Sequence, residues 1–149
     1  MAADRSYIAE NDHERRRLEA LVGKLDDAAL SRPMPDSWTV AGVLAHLAFW
    51  DQRIPTFIDI LKRGTKVPEE DSIDVEWINA AAKPTQLALP PRRAATLAVE
   101  TARAVDQAVA SMSDDLLAKN AAAGSPINLQ RSAHRREHLD EIEQALAKR

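Results

Sequence analysis

Two of this chain's four histidines, His134 and His138, sit four residues apart in the run AHRREHLDEIE. In a helix that spacing stacks two side chains on one face, about 6 Å apart along the axis. Two imidazoles placed this way can converge on one metal ion. Helical projection puts them on the face of Ile127 and Ala145, with Ile142 at its edge. Arg136, Asp140 and Glu143 fall on the far side, so the pair points towards a core. A third histidine, His46, lies one turn before Trp50 in VAGVLAHLAFW. It sits about 60° off the centre of that helix's apolar stripe, close enough to the edge to reach a neighbouring helix. Three inward histidines on two helices make the simplest metal site a bundle can build. The competing reading is that these are hydrogen-bonded core residues. His13 falls on the solvent face of a charged helix and is read as no ligand.

The chemistry of such a site follows from its ligands. Three neutral imidazoles leave a divalent ion its full charge, and three protein ligands leave coordination positions open. An ion held this way can polarise a carbonyl or lower the pKa of a bound water or thiol. Imidazole suits zinc, nickel, copper and iron alike, so the ligand set does not name the metal. The metalloprotease pattern H-E-x-x-H is absent. The spacing here is HRREH, with Glu137 directed away from the histidine face. Asn11 and Glu14 are polar residues on the inward face of the first helix. Either could orient a ligand or act on a bound water, or simply make a core hydrogen bond. Arg53 lies on the same side of its helix as His46, two turns on. It could bind a substrate carboxylate or form a surface ion pair. Trp38, Trp50 and Trp77 read as core or pocket walls. No general base can be named, and no Gly-rich phosphate loop or nucleophile elbow is present.

The bulk properties narrow the classes further. The 149 residues are one domain's worth, so residues 1–149 are expected to form a single helical-bundle domain. Without cysteine, disulfides, zinc-thiolate sites and thiol nucleophiles are excluded, and any metal must take nitrogen or oxygen ligands. A net charge of −3 offers no positive footprint for a phosphate backbone, so no nucleic-acid partner is expected. The polar start MAADRSYIAENDHERRR lacks a signal-peptide core, and no apolar run reaches membrane-spanning length. A cytoplasmic protein with no membrane partner is expected.

The elements that must position the histidines are helices. Glycine, valine, isoleucine and aromatics are sparse against alanine and leucine, which favours helix over sheet. The first helix is predicted from about Arg5 to Leu25, with Tyr7, Asn11, Glu14, Leu18, Leu21, Val22 and Leu25 inward. A short turn at DDAAL and a break at Pro33 and Pro35 follow. Thr39 should cap a second helix with the stripe Val43, Leu47, Trp50, Ile54, Phe57, Ile58 and Leu61, kinked at Pro55 and ended by Gly64. The run TKVPEEDS reads as a loop, then a short helix from about Asp74 to Lys83. A third long helix is predicted from Arg92 to Met112, with Leu97, Thr101, Ala104, Val105, Ala108 and Met112 inward. Ser125 as cap and Pro126 as first residue predict a last helix running to about Ala147. Four amphipathic helices in one small chain imply an all-α four-helix bundle.

Three segments resemble one known family in order along the chain. WTVAGVLAHLAFWDQR resembles the second-helix signature of the DinB-like (YfiT-like) metalloenzymes, WINAAA their middle segment, and AHRREHLDEIE their last helix. The resemblance implies an up-down-down-up bundle with a short extra helix in its middle connection, and a homodimer. It also implies a metal triad of one histidine on the second helix and two on the last, which here are His46, His134 and His138. Nickel, zinc or iron would be the metal, a low-molecular-weight thiol a cosubstrate, and a small molecule the substrate. The implied activity is thiol S-transfer or hydrolysis; the alternative is a metal-binding stress or interaction protein without turnover. KNAAAGSPINLQRSA, before the last helix, departs from the family's usual approach, which leaves the pocket shape open.

Overall fold

The computed structural model describes residues 2–68 and 72–148, with the backbone alone for residues 72–74. It is almost wholly helical. The elements are α1 (Tyr7–Lys24), α2 (Asp27–Leu30), β1 (Pro33–Met34), β2 (Trp38–Thr39), α3 (Val40–Lys62), α4 (Ser72–Ala88), α5 (Pro91–Ala110), α6 (Asp114–Ala122) and α7 (Ser132–Ala147). β1 and β2 form a two-residue antiparallel hairpin over Pro35–Ser37, a feature absent from the sequence expectation. None of the helices in the described residues is long and apolar enough to cross a membrane.

Four long helices form the frame, with α1 and α3 each packed against both α5 and α7. Side-chain pairs set their directions. Tyr7 donates to the Val109 carbonyl and Arg103 to Glu19, so α1 and α5 run antiparallel. Asn11 meets residues 131 and 132, and Arg17 meets Asp140 and Glu143, so α1 and α7 run parallel. His46 meets His134 while Asp51 meets Arg131, so α3 and α7 are antiparallel. This last relation brings residues 88 positions apart to one level of the bundle.

Local chemistry explains the helix starts. Thr39 Oγ1 accepts from the Gly42 N–H at 2.9 Å and caps α3 as expected. Asp26 and Ser113 cap α2 and α6 in the same way. Gly64, at φ 74°, takes the left-handed turn that follows α3. Residues 40–48 of α3 are buried on every side, since the helix crosses the middle of the bundle.

Several boundaries differ from the expectation. α4 begins at Ser72 and runs through Pro84 to Ala88, longer than the predicted 74–83. Of the predicted TKVPEEDS loop, residues 65–68 are irregular, Glu69–Asp71 lie outside the described residues, and Ser72 is already helical. The inward face of α5 differs in part: Val105 and, just beyond the helix, Met112 are buried as expected. Ala94, Ala95, Ala98, Ala102, Val105 and Val109 are buried, while Ala104 is exposed and Leu97, Thr101 and Ala108 are half-buried. A stripe of alanines lets α3 and α5 approach closely, and larger side chains would hold them apart. α6 had no counterpart in the sequence reading.

The last helix shows the largest correction. Ser125 stands at φ 57°, outside the extended region that an N-cap takes, and α7 begins only at Ser132. The intervening chain is held by two asparagines. Asn120 donates to the Ile127 carbonyl and accepts from its N–H, both at 3.0 Å. Asn11, on α1, accepts from the Arg131 and Ser132 N–H groups at 2.8 and 3.0 Å and donates to the Leu129 carbonyl. The start of α7 is thus capped by another helix. Asn11→Ala would leave two buried N–H groups and the half-buried Leu129 carbonyl without this partner. It is expected to lower the unfolding free energy by about 2–3 kcal/mol, read from urea denaturation midpoints.

Candidate metal centre

The three histidines named from the sequence come together. His46 Nε2 lies 3.2 Å from His134 Nε2, which lies 3.1 Å from His138 Nε2. One ligand nitrogen from each lies within 4.8 Å of the other two. A tetrahedral ion with metal–nitrogen bonds of about 2.0–2.1 Å holds its nitrogens about 3.3 Å apart, so the spacing fits a shared cation. His13 is exposed on α1 and is not one of the three, as expected of a residue on that face.

Each ring is oriented differently. His138 Nδ1 faces Glu141 Oε2 at 3.0 Å. A proton on Nδ1 satisfies that carboxylate and leaves the Nε2 lone pair for a metal. His46 is held by packing: Trp38 and Trp50 flank it, with ring centroids at 5.8 and 6.4 Å. Its Nδ1 is buried without a hydrogen-bond partner. Burial pushes the His46 imidazole down to about 4, helped by the neighbouring His138. Burial also pushes His134 down to about 3, reinforced by His138, His46 and the guanidinium groups of Arg131 and Arg135. Both rings are therefore neutral at pH 7, the form a metal requires.

Beneath the histidines lies a buried ionic cluster that sequence reading missed. Arg135, adjacent to His134 in the chain, is 0% exposed. It donates to both Asp106 oxygens, at 2.7 and 2.9 Å, and to Asp51 at 3.2 Å. Arg131 donates to the other Asp51 oxygen at 3.0 Å, and Arg15 reaches Asp106 at 2.8 Å. Asp51 is on α3, Asp106 on α5, Arg15 on α1 and Arg135 on α7, so all four long helices contribute. One signal was available: Asp51 is an acid within a helix apolar nearly all round, where an unpaired charge is not tolerated.

The remaining candidates sort clearly. Glu14 pairs with Arg17 and Arg136 and takes no part in the histidine cluster. Asn11 makes the core hydrogen bonds described above. Trp77 is 63% exposed, contrary to the expectation of a core or pocket wall; Asn79, two residues on and so on the other side of α4, accepts from Trp50 Nε1 at 2.7 Å. Glu137, expected to turn away, borders the histidine cavity alongside Glu141.

Two hollows meet at the cluster. The larger, about 800 Å³, is lined by His46, His134 and His138 with Trp38, Glu76 and Lys83 among its walls. The smaller, about 270 Å³, shares His46, His134 and Asn79 and adds Trp50, Arg53, Asn128 and Arg131. Ligands could therefore approach the histidines from two sides.

Two outcomes test this arrangement. In the unfolded chain His46 and His134 titrate near their ordinary value of about 6.5, so between that pH and about 4 the unfolded state binds more protons. Stability of the metal-free protein is expected to fall as pH drops through this window, and His46→Gln should flatten the fall in denaturation midpoints between pH 6.5 and 5. Arg135→Met strands Asp51 and Asp106 with one arginine each. It should cost about 3 kcal/mol of unfolding free energy and weaken metal binding in variants that still fold.

The sequence model of the DinB superfamily matches residues 10–142, a span that includes all three histidines. No curated protein and no solved structure matches the chain.

Proposed function

We propose that this chain, which belongs to the DinB superfamily, is a metal-dependent enzyme acting on a small molecule, with His46, His134 and His138 as the ligands of one divalent ion. The observation that carries this reading is the convergence of three Nε2 atoms, with neighbours 3.1 and 3.2 Å apart, at the meeting of two hollows. A closed structural site would surround its ion with four protein ligands, whereas three leave room for a reactant. When bound, the ion would lower the pKa of a coordinated thiol or water so that it can attack an electrophile. The protein's part is to keep His46 and His134 neutral by burial, to fix the tautomer of His138 through Glu141, and to enclose the electrophile in the larger hollow. The family resemblance carries both thiol S-transfer and hydrolysis, and either chemistry would use the same ion. A low-molecular-weight thiol as cosubstrate, nickel, zinc or iron as the metal, and a homodimer as the assembly belong to the same proposal.

Reconstitution with nickel, zinc or ferrous iron, followed by elemental analysis, is the first test. Wild type and His13→Ala should retain one ion per chain, and His138→Ala should lose it. Absence of stoichiometric metal in the wild type would remove the proposal. Conjugation assays on the loaded protein, pairing small thiols with electrophiles, should show turnover that His138→Ala lacks. Bound metal with no thiol transfer and no hydrolysis across a broad panel would favour the binding-only role.

A further inference from the structure

Helix α4 is held to the bundle differently from the long helices of the frame. Among the described residues, neither core cluster takes a member from it, and across residues 75–85 no side chain is buried. The same stretch nevertheless walls both hollows. Glu76, Asn79, Ala80 and Lys83 border the larger, Val75 and Asn79 the smaller. Two ties fasten it. Asn79 accepts from Nε1 of Trp50, a residue of α3, at 2.7 Å. Lys83 lies 4.8 Å from the centre of the Trp38 ring and donates to the Asp36 carbonyl. The far end of α4 is seated more firmly. A Cβ on Gly42 would come within 2.6 Å of Leu87, so the bare backbone there lets α4 settle on α3. Gln86 is buried, and Leu89, just past the helix, packs against the core. Pro84 stands between these two regions. It has no N–H for the Ala80 carbonyl, so the helix bends most readily at this point.

From this arrangement we infer that residues 75–83 of α4 form a lid over the histidine cluster, hinged near Pro84 and latched by the Trp50–Asn79 hydrogen bond. A segment with few buried apolar contacts opens at far lower free energy than the frame that carries it. Lids that admit reactants to enzyme sites are drawn from such segments. Asn79 borders both hollows, so lifting it removes a wall they share and joins them into one space over His46 and His134. Trp50 belongs to the latch and also flanks His46, with ring centroids 6.4 Å apart. Closing the lid therefore fixes a ring that packs against the cluster. The lid rests on the proposed function for what passes beneath it, while its movement belongs to the metal-free chain.

Two measurements on the metal-free protein test the lid. In amide hydrogen exchange, residues 76–83 should exchange on the order of a hundredfold faster than the middles of α3 and α5. Asn79→Ala should speed that stretch by about fivefold, the factor that one net hydrogen bond is worth, and leave α5 unchanged. Asn79→Asp, which keeps an acceptor for the indole N–H, should exchange as the wild type does. The second measurement uses the lack of native cysteine. Val43 lines the larger hollow and is 5% exposed, whereas Val109 lies in the core on α5 at 0%. Val43→Cys should react with a bulky maleimide far faster than Val109→Cys, whose thiol is reached only by global unfolding. Adding Asn79→Ala should speed the first about fivefold and leave the second as it was. Equal protection of α4 and α5, equal labelling of the two thiols, or indifference of either readout to Asn79→Ala would overturn the lid, as would an Asn79→Asp variant as fast as Asn79→Ala. If reconstitution yields no bound metal while these responses stand, the proposed function fails and the lid survives.

Discussion

A layer of buried charge divides the core of this bundle, and the three-histidine cluster is built on it. On one side lie Leu18, Val40, Leu44, Ala98 and Leu139; on the other, Tyr7, Ile54, Val105, Val109 and Ile127. Between them sit Asn11, Asp51, Asp106, Arg131 and Arg135. Burying such groups brings little net stability, because desolvation offsets most of the Coulomb gain. Its consequence is selectivity of packing. A shift of any long helix by one residue would strand a charge in a medium that cannot solvate it, at a cost of several kcal/mol. Apolar side chains alone tolerate such slips far better, since one aliphatic contact resembles another.

That constraint is what makes the histidine geometry possible. His46 and His134 come from antiparallel helices far apart in the chain, and metal ligation tolerates errors of only a few tenths of an ångström. Asp51 lies just over one turn beyond His46, and Arg135 is the residue after His134. The Asp51–Arg135 contact therefore sets the level of α3 against α7 within reach of the ligands. Asn11 sets the same level from a third helix, because it caps the backbone where α7 begins. The histidine cluster and the ionic layer form one construction, with neutral imidazoles on its cavity side and paired charges on its core side.

The hairpin and α4 close the site from outside the frame. Lys83 stacks over Trp38 and donates to the Asp36 carbonyl, which ties α4 to the turn that borders the larger hollow. Asp36 and Ser37 both take positive φ there, a conformation that non-glycine residues adopt at a cost and that recurs at functional sites. Trp38 and Trp50, one on each side of His46, then form an aromatic wall for each hollow.

Much of this was legible in the sequence. Periodicity located the long helices, Thr39 announced the start of α3, and the spacing of His134 and His138 with the edge position of His46 singled out the three histidines that come together, because each of those signals is local to one helix. Signals that depend on a partner were not legible. The Ser125–Pro126 pair reads as a helix start, yet asparagines from α6 and α1 pull that segment into an irregular path. The inward face of α5 was only partly found because its alanines suit close approach to α3, and hydrophobicity does not register that fit. Arg135 looks like any surface arginine until Asp51 and Asp106 arrive from two other helices to neutralise it. The sequence by itself determined which residues could bind a metal and which face of a helix they share, since both follow from side-chain type and a fixed helical period. Only the tertiary structure decided how deeply they are buried, which charges stand behind them and which hollow each can serve, because those properties belong to pairs of helices and not to any one of them.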